Sequence, residues 1–399
     1  MNKFVSILLT AILFELMFGG GGRLTAWGSL SLRMVLFVFS LATVVILVWK
    51  KKRIPFDYWF LCILFVVTLI IGLCRGIVLG ANRAYWWEDI KPLMYFFILP
   101  FFGFAIGNRN TVGYISNIIK ISGIILSCLF IITLILIHTS IPFSVFYSAA
   151  IGTEEFFFRG ELTFFYKGFV YICIAFLFFF FIGDRHKYAI MILLGAAILL
   201  SVTRGFLFAI TLVFTCYYFL NASFTKSLLF GVISLLIAFF GQSAINLSSQ
   251  GIDHLSIRKE SSHNEKKIAN SNLFGDKNYS DKGRLGQLQE VTNQISFSSI
   301  FIGHGFGNGV PSRPIHMEIS YLEIFHKQGL LGLSFWAFLL WQLYQKYKLT
   351  CQDGLSNAFF YSSVFIYFQS LTNQYINNPI GLSMVLLSLV CLDQLKKTH

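Results

Sequence analysis

Residues 188–220 read YAIMILLGAAILLSVTRGFLFAITLVFTCYYFL, an apolar run of 33 residues whose one charge is Arg204. A helix that crosses a bilayer needs about 20 residues, so the run is too long for one crossing and fits two. A charge at the bilayer centre is expensive, and Thr203-Arg204-Gly205 is therefore expected to turn at a membrane interface. Blocks of the same character recur outward in both directions, near 4–18, 31–49, 58–76, 92–107, 112–137, 168–183, 227–245, 328–345, 355–371 and 379–394. With 188–202 and 206–220 they make twelve. The expected fold class is all-α: a polytopic integral membrane protein with about twelve transmembrane helices. Nine would lie in 1–245 and three in 328–399, separated by one long extramembrane loop over 246–327.

Composition points the same way. Of 399 residues, 56% are hydrophobic and 12% charged, against about 45–50% and about 25% in soluble domains. That is too little charge to cover a water-facing surface. A β-barrel would need alternating segments of about ten residues, which the blocks do not offer. The first block follows Met1-Asn2-Lys3 and is flanked by Gly19-Gly20-Gly21-Gly22-Arg23. Without an A-x-A-like cleavage pattern, it reads as a retained signal-anchor. The net charge of +13 does not imply a nucleic-acid partner, because the cations fall in short loops where they set orientation. With the N-terminus inside, fourteen of them lie inside: Lys3, Lys50, Lys51, Lys52, Arg53, Arg109, Lys120, Arg185, Lys187, Lys226, Lys346, Lys348, Lys396 and Lys397. Eight lie in short outer loops: Arg23, Arg33, Arg75, Arg83, Lys91, Arg159, Lys167 and Arg204. Both termini are expected on the inner side and 246–327 on the outer. The seven cysteines are scattered singly, which indicates neither a zinc site nor a disulfide framework.

The long loop has two halves. Residues 256–282 (SIRKESSHNEKKIANSNLFGDKNYSDK) are charged and poor in aliphatics, a composition expected to be flexible. From Gly283-Arg284 a helix is expected to begin. Gly303-His304-Gly305-Phe306-Gly307 reads as a turn, and Pro314 to Leu322 leads into Phe325-His326-Lys327-Gln328-Gly329-Leu330-Leu331-Gly332, where the chain returns to the membrane. A smaller outer loop, 138–167, is rich in aromatic residues.

Soluble-enzyme templates fail: no Walker loop, dinucleotide glycine fingerprint, HExxH or GxSxG is present. What remains is arginine, histidine and glutamate on the outer side. The planar guanidinium fork suits a phosphate and never deprotonates, which singles out Arg204 at the span junction. It also singles out Arg284, expected at the N-terminus of its helix, where backbone N–H groups add to an anion site. His316 is a candidate general base near neutral pH, with Glu318 as a competing base or as its orienter. His304, in its glycine-rich turn, reads as structural. Arg159 and Lys91 are further substrate-binding candidates as outer-side cations. No metal ligand set and no cofactor motif is evident.

In order along the chain come Ser201-Val202-Thr203-Arg204-Gly205, Gly283-Arg284, Gly303-His304-Gly305-Phe306-Gly307, and Tyr321-Leu322 followed by Gly329-Leu330-Leu331-Gly332. This series, chiefly within 195–335, resembles the O-antigen polymerase and ligase superfamily. Members of that superfamily carry an S-x-S/T-R-G span junction, a G-R opening a periplasmic helix, a G-x-G-x-G turn and an H-N-x-Y-L…G-L-x-G re-entry. The resemblance implies a C-type glycosyltransferase-like fold in the bacterial inner membrane, with its site facing the periplasm and the long loop periplasmic. It implies an undecaprenyl-pyrophosphate-linked oligosaccharide as substrate, membrane lipids around it, and chain-length regulator and flippase proteins as partners in lipopolysaccharide biosynthesis. No cofactor and no metal are implied. Carried over by position, Arg204 and Arg284 would hold the pyrophosphate and the re-entry histidine would activate the acceptor. Here Glu318 stands where ligases have that histidine and Ile319 where an Asn often follows, with His316 two residues earlier; this favours a polymerase over a ligase. A transporter or flippase is the competing class, but such proteins carry repeat symmetry and ionisable residues at mid-bilayer, whereas the charges here gather on one side.

Overall fold

The computed structural model describes residues 3–22, 26–27, 30–50, 55–153, 155–159, 163–183, 185–221, 223–237 and 277–396, with only the backbone of 26–27, Arg159 and 277–282. The N-terminal part runs through α1 (Lys3–Phe18), α2 (Leu32–Trp49), α3 (Phe56–Val78), α4 (Arg83–Leu93), α5 (Leu99–Ala105), α6 (Arg109–Thr139) and α7 (Phe143–Ile151). It continues with α8 (Val170–Phe181), α9 (Lys187–Leu200), α10 (Arg204–Leu220) and α11 (Phe224–Ile237). The C-terminal part holds α12 (Lys277–Gln294), α13 (Phe297–Ile302), α14 (Ser320–Lys348), α15 (Gly354–Gln369) and α16 (Pro379–Gln394). Two antiparallel hairpins interrupt the helices: β1 (Ala26–Trp27) with β2 (Leu30–Ser31), and β3 (Phe156–Arg159) with β4 (Thr163–Tyr166). The segment 138–167, expected as loop, is thus built from α7 and the β3–β4 hairpin. Its Phe156, Phe158 and Phe164 rings pack on Phe146 of α7.

Helix starts follow local chemistry. Asn108, Asp353 and Asn378 each accept a backbone N–H of the first turn of α6, α15 and α16, which satisfies a donor the helix itself cannot. Pro379 at the first position of α16 needs no such partner. The run at 188–220 divides as expected: α9 ends at Leu200 and α10 begins at Arg204. Between them Val202 sits at φ +50, an outlier for a β-branched residue that the tight junction imposes.

The block at 92–107 is not one helix. Pro92 lies near the end of α4, residues 94–98 form a 3-10 turn, and α5 restarts at Leu99-Pro100. Pro92, inside α4, removes a ladder donor and crowds the carbonyl four residues back, and Pro100 fits the first turn of α5, where no donor is lost, so a sequence window sees one apolar block where the backbone breaks it.

Among the described residues, three helices are long and apolar enough to cross a membrane: α2, α3 and α6. Others, including α9, α10, α11 and α16, are apolar but span 10–17 residues. The difference has a packing basis. α16 is the core: every residue from Ile380 to Leu392 is buried, and it contacts α15, α14, the 94–98 turn and α5. The long helices are peripheral. Only 22% of α2 and 39% of α3 and α6 is buried within the protein, which leaves Val38, Phe39, Ile63, Ile70, Ile125, Leu129 and Ile132 facing outward. Contiguous apolar surface on this scale requires an apolar surrounding. The protein is a helical assembly with several apolar membrane-span candidates.

Polar contacts between loops sort to the two ends of α3, a helix of 23 residues and so roughly 34 Å long. Near its start, Tyr58 donates to Asp393, which also binds Lys346 at 2.7 Å and Lys396 at 2.5 Å. Arg109 pairs with Asp353 at 2.6 Å. At its other end, Gly72 and Gly76 receive the 303–307 turn. Two cations differ from their expected loop placement. Arg33 is buried in α2 on Glu15 of α1 at 2.7 Å, and Lys120, within α6, lies over the Phe179 ring at 5.5 Å.

Candidate functional site

The 303–307 turn builds one wall of the site. Gly305 has φ +82, and a Cβ there would lie 2.1 Å from the Gly76 backbone nitrogen; only glycine admits this conformation and this approach. The turn's Phe306 donates its N–H to the Gly72 carbonyl at 3.1 Å and buries its ring against α3. On its other side, the His304 and Gly305 N–H groups donate to the carbonyls of His326 and Lys327, at 2.7 and 2.9 Å. Those carbonyls are exposed to the turn because α14 is kinked at Gly329 (φ +63, ψ −155). The His304 ring stacks on His326 at 4.6 Å and lies 3.0 Å from the Gln294 carbonyl, the structural role expected of it.

The kink leaves Ser320–Gln328 as a separate segment that carries two groups, Glu323 and Lys327, into a cluster with Asp89 of α4. Lys327 Nζ donates to Asp89 Oδ1 of α4 at 2.7 Å and to Glu323 Oε1 at 2.5 Å, and also to the Ile315 carbonyl. The side chains of Lys327, Asp89 and Glu323 are 3%, 1% and 6% exposed, so an ion cluster sits inside the protein. Its charges are heavily hydrogen-bonded. Asp89 Oδ2 accepts the Gly307 N–H at 2.8 Å, and Glu323 Oε2 accepts Gln374 at 2.6 Å and Asn377 at 2.9 Å. Burial pushes the Glu323 carboxyl up, but Lys327 and His316 outweigh it and hold it at about 2. Burial would lower the Lys327 ammonium, yet Glu323 and Asp89 raise it. Burial raises the Asp89 carboxyl against the opposing pull of Lys327 and the Gly307 N–H.

His316 joins this cluster. Its Nδ1 is 3.4 Å from Glu323 Oε1, and its side chain is 43% exposed, open to solvent where the cluster is not. Beside it is a cavity of about 160 Å³ lined by His316, Glu323, Lys327, Asp89, Gln374 and Asn377, with Gly21 and Lys167 on the far wall. That volume is on the order of one six-membered ring. His316, Glu323 and Asp89 each bring a donor atom to within 4.8 Å of the others. That spacing would suit a cation, but the Lys327 ammonium already bridges the two carboxylates.

Glu318 is turned away from His316. Its carboxylate lies between Arg284 Nε at 3.1 Å and Arg313 Nη2 at 2.9 Å, and its backbone N–H donates to Gln287 of α12. Met317, between the two residues, is buried with Val291 and Val310 and separates them. The expectation that Arg284 opens a helix is not met: α12 begins at Lys277, which leaves Arg284 two turns inside. The helix N-terminus therefore contributes nothing at Arg284, because unpaired N–H groups occur only in a first turn. Arg204 does begin its helix, α10. A Cβ on the adjacent Gly205 would meet Thr372, Gln369 and Asn373, so the Arg204 junction packs on the 369–373 turn. The same turn binds Ser320, whose hydroxyl donates to the Asn373 carbonyl at 3.0 Å. The Arg204 junction and Ser320, which opens α14, thus meet the same 369–377 turn.

Lys91 is half-buried on α4, beside Asp89 and Pro92 but outside the cavity lining. Arg159 pairs through its backbone with Thr163, and its side chain lies outside the described residues; of the stretch 256–282 expected to be flexible, 256–276 also lies outside them, while 277–282 is helical as the first turns of α12. Sequence reasoning missed Asp89, Glu323, Lys327, Gln374 and Asn377. For Glu323 and Lys327 a signal existed: opposite charges four apart immediately before an apolar block, where ionisable residues are costly. Asp89, in the run Trp86-Trp87-Glu88-Asp89-Ile90-Lys91, gave none.

No protein-family model matches the chain. It has a distant full-length homologue, the protein named O-antigen polymerase of Shigella flexneri, 26% identical over 401 aligned positions that cover 96% of this chain and 94% of the relative. The resemblance drawn from the motifs is therefore supported along the whole chain.

Proposed function

We propose that the protein is a polysaccharide polymerase of the bacterial cytoplasmic membrane, a glycosyltransferase that transfers an undecaprenyl-pyrophosphate-linked glycan onto the terminal sugar of a second lipid-linked repeat unit. The observation that carries this reading is the end-to-end likeness to O-antigen polymerase. In this reading, 1–245 and 328–399 lie in the membrane with about twelve crossings, both termini are cytoplasmic, and 246–327 faces the periplasm with the site.

The chemistry needs few parts. The acceptor hydroxyl attacks the anomeric carbon of the donor sugar, and the bond from that carbon to the pyrophosphate oxygen breaks. The hydroxyl proton passes to His316, which faces a ring-sized cavity and has Glu323 behind its Nδ1. Charge develops on the departing pyrophosphate, and donors aimed at developing charge lower the barrier; Arg204 and Arg284 are assigned to it, with Arg159 and Lys91 as outlying contacts. Glu318, held between Arg284 and Arg313, orients the guanidinium groups and leaves the proton to His316. The activated lipid supplies the free energy, and no step requires a metal.

A strain lacking the protein is expected to make lipopolysaccharide that carries a single repeat unit, restored to a ladder by the plasmid-borne chain. Unsubstituted core in that strain would assign ligation to lipid A-core instead, and loss of lipid-linked units from the periplasmic face would assign transport.

A further inference from the structure

We propose that Asp89 and Lys327 are positioning residues for His316: with Glu323 they fix the imidazole at the cavity and set its strength as a base. This rests on the reading of His316 as the acceptor's base. Three separate elements converge to make the unit, α4 through Asp89, the first segment of α14 through Glu323 and Lys327, and the 374–377 turn through its two amides. Glu323 Oε1 receives both Lys327 Nζ and His316 Nδ1. An Nδ1–H donated to a carboxylate leaves Nε2 as the acceptor of a proton. Tying Glu323 at both oxygens therefore fixes tautomer and ring direction together.

Charge supplies the second half of the argument. Asp89 accepts at both oxygens, from Lys327 Nζ and from the Gly307 N–H, as an ionised carboxylate does; with Glu323 it sets two negative charges against the one positive charge of Lys327, so the buried unit holds one negative charge in excess. When His316 takes a proton, the imidazolium closes that excess. Other charged groups near the ring, among the described residues, include Arg313 and Glu318 on its own segment, Arg284 of α12 paired with Glu318, Lys167 in the cavity lining, and Glu155, which accepts the Gly21 N–H; the 374–378 turn lends Gln374, Asn377 and Asn378 to the cavity. A buried ion cluster is a poor way to gain stability, since well-packed apolar residues do as well or better. A base that must become cationic beside the cavity gives this cluster a use.

The arrangement makes a signed prediction. D89N reduces the unit to zero net charge and destabilises the imidazolium, so His316 becomes a weaker base that stays neutral to lower pH. D89N/K327M restores one negative charge, on Glu323. The experiment measures the initial rate of chain lengthening, from pH 5 to 9, by full-length protein in proteoliposomes supplied with a lipid-pyrophosphate-linked repeat unit. Thermal unfolding of each variant is followed in parallel. D89N is expected to lower the plateau rate about tenfold and move the acid limb down by on the order of one pH unit. D89N/K327M is expected to return the limb to its wild-type position, whatever its plateau. If D89N does not accumulate, E323Q makes the same charge change and must move the limb the same way. A limb that stays put in D89N or E323Q while the rate falls with stability makes the cluster structural and overturns the proposal. If the wild type fails to lengthen the unit, or H316A lengthens it normally, the base reading falls and the proposal with it.

Discussion

At the scale of single residues, the arginines separate by what they touch. Arg284 is a third exposed or less and bound by Glu318, which also engages Arg313. In the proposed reaction each arginine pairs with the departing pyrophosphate, and losing one partner of such a charge pair costs on the order of 2–5 kcal/mol, or roughly 30- to several-thousand-fold if expressed in the transition state. R284A and R204A are therefore expected to abolish polymer ladders in a complemented deletion strain at equal protein level. R284K should remain clearly defective, since lysine restores charge without the fork, while K277A and K282A should make normal ladders. Full ladders from both R204A and R284A would remove the arginines from the reaction. His326 gives a pH test of another kind. Burial, then the neighbouring His304 and Lys327, lower it to about 4 from the ordinary 6.5. The folded state selects the neutral ring, so its contribution is complete above about 6.5 and is lost as pH falls from there toward 4. The thermal midpoint in detergent should drop across that window, and H326L should flatten the drop; an equal drop in the variant would assign it elsewhere.

At the scale of elements, the site depends on two backbone irregularities that fit each other. Besides the Phe306–Gly72 contact, the 303–307 turn comes this close to the α3 backbone because Gly305 and Gly76 carry no Cβ. A Cβ on Gly76 would lie 2.2 Å from the Phe306 carbonyl oxygen, whereas one on Gly286 of α12 meets nothing within 4 Å. G305A and G76A are expected to destabilise the protein by about 1–3 kcal/mol through overpacking, with loss of ladders. G286A should stabilise α12 by up to about 1 kcal/mol and leave ladders intact. Unfolding midpoints of the three purified variants check this, and a tolerated G305A would mean the turn does not dock as described. The kink at Gly329 is the counterpart, because it presents the 326–327 carbonyls that receive the turn and stations Glu323 and Lys327 at the cavity.

At the scale of the whole molecule, loops far apart in sequence gather at the two ends of α3. Asp57, Lys346, Asp393 and Lys396 meet at one end through their ion pairs, and the Thr350–Lys396 bridge brings the segment of Asp353, paired with Arg109, beside them; the cations Arg109, Lys346 and Lys396 are among those the count assigns inside. The site occupies the other end. Reporter fusions after Ser262 and at the C-terminus are accordingly expected to give opposite signals, with the Ser262 fusion active outside the cytoplasmic membrane. Equal signals would end this topology, and a cytoplasmic Ser262 fusion with an outer C-terminus would reverse it and the side on which the site works.

The apolar blocks by themselves determined that this chain is helical and carries several membrane-span candidates, because length and hydropathy are local properties that no partner can alter. They also located the 200–204 junction, since a lone arginine in 33 apolar residues has nowhere else to go. The motif order pointed to Arg204, Arg284 and the segment of His316 and Glu318, yet not to what holds them. Lys327 and Asp89 stand 238 residues apart, and Arg284 and Glu318 stand 34 apart. Pairing at such separations depends on which helices pack together, and spacing along the chain carries no record of it. The tertiary structure alone decided that Glu318 faces arginines while His316 faces a cavity. Two residues of one irregular segment part there because Met317 between them is anchored in the small cluster with Val291 and Val310.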